Sequence, residues 1–328
     1  MSGGNPLHRF ARALGAGKLL LYGYHRPMGL IRKSIAEGGP LEQIRTEQGR
    51  RQMVQAAWRL PVLVAKPERQ EATKVNFLSG QRFWYQTLAC FVSLQQHSPF
   101  RITPVIHDDG TLGSEICAAI SRVVPWAVVV DARAINETLD RELPEARFPV
   151  LRARREVYPH LRKLTDIHLG QNDWGLVLDS DMLFFRRPEA LLSWFMRPHA
   201  IYMQDVVEAY GYSSRLMREL AGCPVPAKVN VGLYAVDRSQ IDWDAMEFWC
   251  RIQLEREKSN YLQEQALTAV LLARQTAAPL LVEDYRVMPD LLEGAAPRAV
   301  MHHYVAASKR SYFQRGWRNA LALRGNAA

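Results

Sequence analysis

The run WGLVLDSDMLFF, residues 174–185, places Asp179 and Asp181 between two blocks of large apolar residues. The apolar flanks predict a buried strand, where two carboxylates one residue apart are costly unless cations lie beside them. Because alternate residues of a strand point the same way, both carboxylates can face one point while Ser180 faces elsewhere. Two oxygen ligands at this spacing suit Mg²⁺ or Mn²⁺. The alternative is a solvated turn with aspartates at their usual positions, which would not need such flanks.

The composition is typical of a globular protein with one large or two ordinary domains. The chain has 328 residues, of which 48% are hydrophobic and 23% charged. Its four cysteines are far apart, which indicates reduced, mostly buried thiols rather than disulfides or a zinc site. No apolar stretch reaches the roughly 20 residues of a membrane-spanning helix, and no signal-peptide pattern begins the sequence. We therefore expect a cytoplasmic protein.

The positive charge is concentrated at the N-terminus. Residues 1–70 hold 12 of the 42 Lys and Arg but only 4 of the 33 Asp and Glu, whereas the formal net charge of the whole chain is +9. We expect residues 1–70 to form a basic, mainly helical extension and residues 71–328 a catalytic domain. Within the extension, residues 41–60 have apolar residues at helical spacing, which predicts a helix with Gly49 as a weak point. The extension could pack on that domain or contact the inner face of an anionic membrane, and without a known motif nucleic acid is less favoured.

After residue 70, strand and helix patterns alternate, which predicts an α/β fold with a mixed, mostly parallel sheet flanked by helices. In such sheets ligands bind beyond the carboxyl ends of the strands, where the Asp179 pair falls. A second acidic pair, Asp108 and Asp109, precedes Gly110, and we interpret it as a turn. The sequence has no G-x-G-x-x-G or Walker-type loop, so a dinucleotide or P-loop site is not expected.

Five motifs in one order resemble the GT-A-fold retaining glycosyltransferases of family 8, which include glycogenin and bacterial lipopolysaccharide galactosyltransferases. The resemblance covers Lys74 to Phe313. Its motifs are VNFLSG, RKLTDIHL, LDSD, VNVGLYAVD and HYVAASK, and a short helix start, EQALTAVLL, adds to them. The resemblance implies a GT-A nucleotide-sugar-binding fold.

The resemblance also implies roles for individual residues. It implies three metal ligands, Asp179, Asp181 and His303. It implies contacts to the donor and its diphosphate from Asn76, Phe77, Lys163, Ser180, Asn230 and Lys309. It places two catalytic residues, Glu264 and Gln265, beside the transferred sugar.

Several positions depart from the family pattern or leave alternatives open. Ala306 stands where the family has a glycine, and Glu264 where an aspartate is usual. The adjacent His302 is an alternative to His303 as the metal ligand. Gly232, in the N-x-G of the fourth motif, indicates that another group closely approaches the backbone there. The basic extension has no counterpart in the family core.

The function implied is a Mn²⁺- or Mg²⁺-dependent glycosyltransferase that moves a sugar from a nucleoside-diphosphate sugar, expected to be a UDP-sugar, to an acceptor hydroxyl. The resemblance implies retention of configuration, and the acceptor could be a glycan, a lipid or a protein. One alternative is a nucleotidyltransferase of related fold, although NFLSGQRFW lacks the glycine-rich basic loop expected after the first strand. The other is a non-catalytic basic protein that binds membranes or nucleic acid.

Overall fold

The structure is a computed structural model that describes residues 38–69 and 73–321. The predicted extension is described only from residue 38 onward, so half of its 12 Lys and Arg lie outside the described part.

Thirteen α-helices and ten β-strands are present in the described residues. The helices are α1 (Pro40–Ala57), α2 (Trp84–His97), α3 (Ser114–Val123), α4 (Ala132–Glu142), α5 (Pro149–Val157), α6 (Arg162–His168), α7 (Glu189–Trp194), α8 (Ser214–Ala221), α9 (Trp243–Glu257), α10 (Gln263–Arg274), α11 (Leu291–Ala295), α12 (Lys309–Ser311) and α13 (Trp317–Ala320). The strands are β1 (Lys74–Ser79), β2 (Thr103–Asp108), β3 (Val128–Val130), β4 (Trp174–Leu178), β5 (Met182–Phe184), β6 (Ile201–Gln204), β7 (Val229–Asp237), β8 (Ala278–Pro279), β9 (Tyr285–Val287) and β10 (Met301–His303). Short 3₁₀ segments span Pro159–Leu161, Arg238–Gln240 and Ala306–Ser308, and a π-helical turn spans Tyr312–Gly316.

The larger sheet has seven strands in the order β3-β2-β1-β4-β7-β6-β8. Strands β1 to β4 pair in parallel, β7 is antiparallel to both of its neighbours, and β8 is parallel to β6. This mixed, mostly parallel arrangement with flanking helices confirms the predicted fold class.

A second sheet of three strands, β5-β10-β9, begins where the acidic run ends. The chain leaves the larger sheet after Leu178, passes through the two aspartates, and enters the smaller sheet at Met182. Strand β10 is antiparallel to β5, so His303 lies opposite Met182. The acidic pair therefore lies at the junction of the two sheets, beyond the carboxyl end of β4.

Strand β4 is buried on both faces, as its apolar run predicts. Leu176 and Leu178 belong to a core that contains α2, whereas Val177 belongs to the core on the opposite face, which contains α10. Because both faces are covered by apolar side chains, the strand fixes the position at which the aspartates emerge.

Helix α1 packs against the end of the described chain. Gln314 Nε2 donates to Glu42 Oε2 at 2.9 Å and to Thr46 Oγ1 at 3.0 Å. Gly49 lies so close to the π-helical turn that a Cβ there would be 2.2 Å from the Phe313 carbonyl oxygen. The sequence indicates Gly49 as a weak point of the helix, but the structure shows it as the point of closest contact.

Residues 58–69 also contact the catalytic domain. The Leu63 amide donates to the Val123 carbonyl at 2.8 Å, and Arg122 Nη1 donates to the Leu60 carbonyl at 2.7 Å. The helix predicted near residues 41–60 is thus present and packed, and a functional boundary at residue 70 stays a prediction.

All four cysteines are free thiols. Cys90 and Cys250 are buried, whereas Cys117 and Cys223 are half-buried. Among the described helices, none has both the length and the apolar character needed to span a membrane.

Replacing Gly49 with alanine should destabilise the protein by about 1 to 3 kcal/mol, because the new methyl group overlaps the Phe313 carbonyl. Alanine favours helices by about 1 kcal/mol over glycine. A loss of stability would therefore show that the steric overlap with Phe313 outweighs the higher helix propensity of alanine. Urea unfolding measures the difference. Gln48→Ala, at an exposed position of the same helix, should change stability by less than about 0.5 kcal/mol. A Gly49→Ala protein as stable as the wild type would contradict the tight contact.

Candidate metal and donor site

Three potential metal ligands converge where the two sheets meet. His303 Nε2 lies 3.2 Å from Asp181 Oδ1 and 3.8 Å from Asp179 Oδ2, and one ligand atom from each residue falls within 4.8 Å of the others. Adjacent oxygen ligands of an octahedral ion such as Mg²⁺ are about 3 Å apart. The spacing therefore suits one small divalent cation with only modest movement.

The His303 ring is oriented by Asn230. Its Nδ1 lies 3.0 Å from the Asn230 side-chain oxygen, which can only accept a hydrogen bond, so Nδ1 is the donor. Nε2 is buried and makes no hydrogen bond with any described residue, although Asp181 is near. The ring thus presents this nitrogen to the two carboxylates. Such a buried nitrogen fits a metal ligand, and the hydrogen bond at Nδ1 is the usual way in which such a ligand is oriented.

His302 lies next to His303 but belongs to a different environment. It is fully buried, with Nε2 3.0 Å from Glu293 Oε1 and Nδ1 2.9 Å from the Tyr304 hydroxyl. Since both of its ring nitrogens already have partners, the geometry brings His303, and not His302, to the acidic pair.

Two lysines lie on opposite sides of the acidic pair. Lys163 Nζ contacts Asp179 Oδ1 at 2.9 Å and Glu264 Oε1 at 3.4 Å, while Lys309 Nζ contacts Asp181 Oδ2 at 2.9 Å. The Lys163 side chain is 10% exposed and that of Lys309 is 39% exposed, so one side of the cluster is closed and the other is open.

The charges of this cluster stabilise one another. Burial alone would lower the pKa of Lys163, but the carboxylates of Asp179 and Glu264 raise it above its ordinary value. Burial alone would raise the pKa of Asp181, but His303 and Lys309 hold it below its usual range. Each aspartate and each lysine therefore lies close enough to an opposite charge to be stabilised by it.

An irregularity in β7 shapes the wall of the site. Tyr202 of β6 pairs with Tyr234 of β7, but Met203, the next residue of β6, pairs with Asn230. Residues 231–233 of β7 therefore have no pairing partner in β6. The Val231 carbonyl accepts from Lys163 at 2.9 Å, and the Gly232 carbonyl accepts from the Asp179 amide at 2.7 Å. The bulge thus turns backbone carbonyls toward the cluster.

Gly232 leaves room for the histidine. A Cβ at this position would lie 2.4 Å from His303 Cε1 and 2.6 Å from Met182 Cε. The close approach that the sequence indicates at Gly232 is confirmed, and the approaching groups are the candidate ligand and the first residue of β5.

Glu264 and Gln265 begin helix α10 beside Lys163. Glu264 is buried, and burial raises its pKa to about 7, although the positive charge of Lys163 opposes this shift. Its Oε1 makes no hydrogen bond in the described residues. Gln265 is held by a hydrogen bond from Nε2 to the Ala209 carbonyl at 2.9 Å.

Other predicted site residues do not reach the cluster. Phe77 is fully buried in the core, and Asn76 Nδ2 donates to the Leu176 carbonyl of the neighbouring strand at 3.0 Å. This geometry gives no support to their predicted contact with the nucleoside. Ser180 Oγ is 2.7 Å from Thr87 Oγ1, so it faces α2 and away from the metal ligands. The sequence predicts this direction from strand alternation, but residues 179–181 form a turn between β4 and β5.

The second acidic pair is a turn, as expected. Asp108 Oδ1 accepts hydrogen bonds from the amides of Gly110, Thr111 and Leu112 at 2.8 to 3.0 Å.

One contributor to the site is absent from the sequence-based predictions. Asp205 Oδ2 accepts from Asn230 Nδ2 at 2.8 Å, so it fixes the amide that in turn orients His303. The sequence feature that could have identified Asp205 is its position directly after the apolar strand Ile201–Gln204, because ligands bind at strand ends.

The backbone at Ala306 has the conformation that the family's glycine would favour. Its φ is +48°, in the left-handed region, where a side chain costs about 1 to 2 kcal/mol. Ala306 therefore adopts a backbone conformation that favours glycine.

Replacing Ala306 with glycine should stabilise the protein by about 0.5 to 1 kcal/mol, because glycine tolerates positive φ without strain. Ala307 is exposed and has no positive φ, so Ala307→Gly is the matched control and should give no gain. Thermal or urea unfolding compares the two. Equal effects at both positions would contradict strain at Ala306.

Glu264 should make the stability of the metal-free protein fall as pH rises. Its folded pKa of about 7 lies above the ordinary pKa of a glutamate, about 4.5, so its stabilising contribution is complete below pH 4.5 and is lost as pH rises to about 7. The loss should be about 2 to 3 kcal/mol. Urea unfolding in EDTA at several pH values should show this slope in the wild type and not in Glu264→Gln. The same slope in both proteins would refute it.

Comparison with known proteins bears on the fold. No protein-family model matches the sequence, and no curated protein matches it. Among solved structures, the galactosyltransferase LgtC in complex with donor and acceptor sugar analogues aligns over 77% of this chain and 96% of its own, with 12% identity and a TM-score of 0.50. Mouse xyloside xylosyltransferase 1 in its apo form aligns over 74% of this chain and 98% of its own, with 10% identity and a TM-score of 0.47. The chain therefore has the GT-A glycosyltransferase fold, as its motifs predict.

Proposed function

We propose that this protein is a metal-dependent glycosyltransferase that transfers a sugar from a nucleoside-diphosphate sugar to an acceptor hydroxyl. The observation that carries the proposal is the cluster of Asp179, Asp181 and His303 at the strand ends of a GT-A fold. A lysine on each side completes it. Ligands of open α/β sheets bind at such strand ends.

The candidate ligands fit Mn²⁺ or Mg²⁺. Two carboxylates and one imidazole form a mixed oxygen and nitrogen set, which suits Mn²⁺ in particular. When bound, the ion would neutralise negative charge on the diphosphate of the donor.

The two lysines supply the protein's own positive charge to a diphosphate. Lys163 is held in place by Asp179 and by the Val231 carbonyl, so it acts from the closed side of the cluster. Lys309 acts from the open side. Fixed cations aimed at developing negative charge stabilise a departing diphosphate without reorganisation during the reaction.

The catalytic residues of the proposal are Glu264 and Gln265. Glu264 is buried 3.4 Å from Lys163, where its carboxylate can stabilise positive charge that develops on the anomeric carbon. Asn230, held by Asp205, and Ser180 remain candidates for donor contacts. Retention of configuration is part of the proposal and rests on the sequence resemblance.

UDP is the proposed nucleotide, also on the sequence resemblance. The solved LgtC complex contains donor and acceptor sugar analogues, which is consistent with a two-substrate transfer. Asn76 and Phe77 are buried in the sheet and core, so we propose that other residues make most of the contacts to the nucleoside. We retain cytoplasmic location, membrane contact through residues 1–70 and a glycan, lipid or protein acceptor as parts of the proposal.

Binding of UDP should require the metal and the acidic pair. Isothermal titration with UDP should give at least tenfold weaker affinity without Mn²⁺, and a similar loss for Asp181→Asn with Mn²⁺ present. Asp140→Asn is the matched control, because Asp140 is exposed on α4 and pairs with Arg152 at the surface. UDP affinity indifferent to Mn²⁺ and to Asp181→Asn would refute the proposed mechanism and favour a non-catalytic binding protein.

The reaction itself is tested with a panel of nucleotide sugars scored for Mn²⁺-dependent hydrolysis. Release of UDP from one UDP-sugar identifies the donor. Release of pyrophosphate from UTP in the presence of a sugar phosphate, without UDP-sugar hydrolysis, would instead support a nucleotidyltransferase.

A further inference from the structure

A cleft of about 250 Å³ lies between helix α1 and the segment that follows β10. One wall is formed by Gln43, Thr46, Glu47 and Arg50, and the other by Ala306, Ala307, Lys309, Arg310 and Phe313. Helix α1 precedes the part of the chain covered by the family motifs, so half of the cleft is built by the extension.

The cleft adjoins the candidate metal site through Lys309. This side chain lines the cleft, and its ammonium group is 2.9 Å from Asp181 Oδ2. Lys309 also marks the open side of the cluster, opposite the buried Lys163. A ligand in the cleft would therefore lie directly beside the place where the metal and a diphosphate are proposed to bind.

The charged residues that line the cleft are mostly basic. They comprise three cations, Arg50, Lys309 and Arg310, and one acid, Glu47. The Glu47 carboxylate accepts two hydrogen bonds from the Arg50 guanidinium, at 2.6 and 2.8 Å, which hold the Arg50 side chain in one orientation. The other wall begins with Ala306 and Ala307, whose small side chains leave space in front of these cations.

The size of the cleft limits what can enter. Drug-sized ligands occupy about 300 to 1,000 Å³, so the cleft holds one group of a substrate rather than a whole nucleotide sugar. Arginine guanidinium groups match the oxygens of a phosphate in geometry and charge. A phosphate is thus the chemical group that the cleft suits best.

We propose that this cleft is a phosphate subsite beside the metal site, with Arg50 and Arg310 as binding residues. The inference rests on the proposed function, because the neighbouring site is taken to hold the donor. The phosphate belongs either to the donor diphosphate or to a phosphorylated acceptor, and the two sources are separated by experiment.

Docking of α1 places Arg50 in this wall. Gly49, the residue before Arg50, is in contact with the Phe313 carbonyl, and Phe313 lines the same cleft. The extension therefore contributes to the substrate site as well as to packing.

The first arm of the test is titration of UDP with Mn²⁺ into the wild type, Arg50→Gln and Arg310→Gln. A loss of affinity of fivefold or more in either variant assigns the subsite to the donor diphosphate. The second arm, with UDP and Mn²⁺ saturating, compares glucose 6-phosphate with glucose. At least tenfold tighter binding of the phosphate by the wild type, reduced in the variants, assigns the subsite to an acceptor phosphate.

Arg45→Gln is the matched control. Arg45 lies on the same helix, pairs with Glu42 and does not line the cleft. The proposal is overturned if both arms are unchanged in the two variants, or if Arg45→Gln weakens binding equally. Arg50→Lys keeps the charge but loses the planar guanidinium, so an intermediate affinity is expected. Thermal unfolding checks that each variant is folded. If the Arg50→Gln protein is unfolded, the test rests on Arg310→Gln alone.

Failure of the phosphate subsite can be distinguished from failure of the proposed function. If the wild type does not bind UDP in a Mn²⁺-dependent manner, the proposed function fails. Glucose 6-phosphate and glucose are then compared without nucleotide. A preference for the phosphate that the Arg50 and Arg310 variants lose would still support the subsite, and its absence would overturn it.

Discussion

Two carboxylates one residue apart at the end of a buried strand repel each other and lose solvation, so they require positive charge close by. In this protein Lys163 is hydrogen-bonded to Asp179, Lys309 is hydrogen-bonded to Asp181, and His303 faces both acids. These partners come from helix α6, helix α12 and strand β10, and the last two lie more than about 120 residues after the acidic pair. Much of the architecture around the site can be understood as the means of holding them together.

The chain brings these partners to the acidic pair by crossing from the larger sheet to the smaller one. Strand β4 ends in the larger sheet, β5 begins the smaller one, and β10 pairs with β5 so that His303 is opposite the first residue after the acidic pair. The bulge in β7 supplies carbonyls to Lys163 and to the Asp179 amide, and Gly232 provides the space that the His303 ring occupies. The irregular strand β7 thus helps to position both the Lys163 ammonium group and the His303 ring.

The sequence predicted much of this arrangement and missed its long-range parts. The strand at 174–178 and the acidic pair could be predicted from a local pattern of apolar and acidic residues. The convergence of Lys163, His303 and Lys309 on that pair could be predicted only from the family resemblance. The contact of Asp205 with Asn230 could not, since it depends on a slipped register between β6 and β7. Helical spacing located α1, but it did not show that Leu41 and Ile44 are 72% and 55% exposed while Gly49 is buried.

The packing of α1 on the π-helical turn has a consequence for synthesis of the chain. The hydrogen bond between Glu42 and Gln314 joins residues 272 positions apart. At roughly 5 to 20 residues per second, a ribosome needs about 15 to 55 s to make the second partner after the first. During this interval Gly49 lacks the contact that Phe313 later provides, so helix α1 is among the last of the described elements to reach its final packing. Completion of the cleft between α1 and the segment after β10 therefore waits until the residues up to Phe313 have been made.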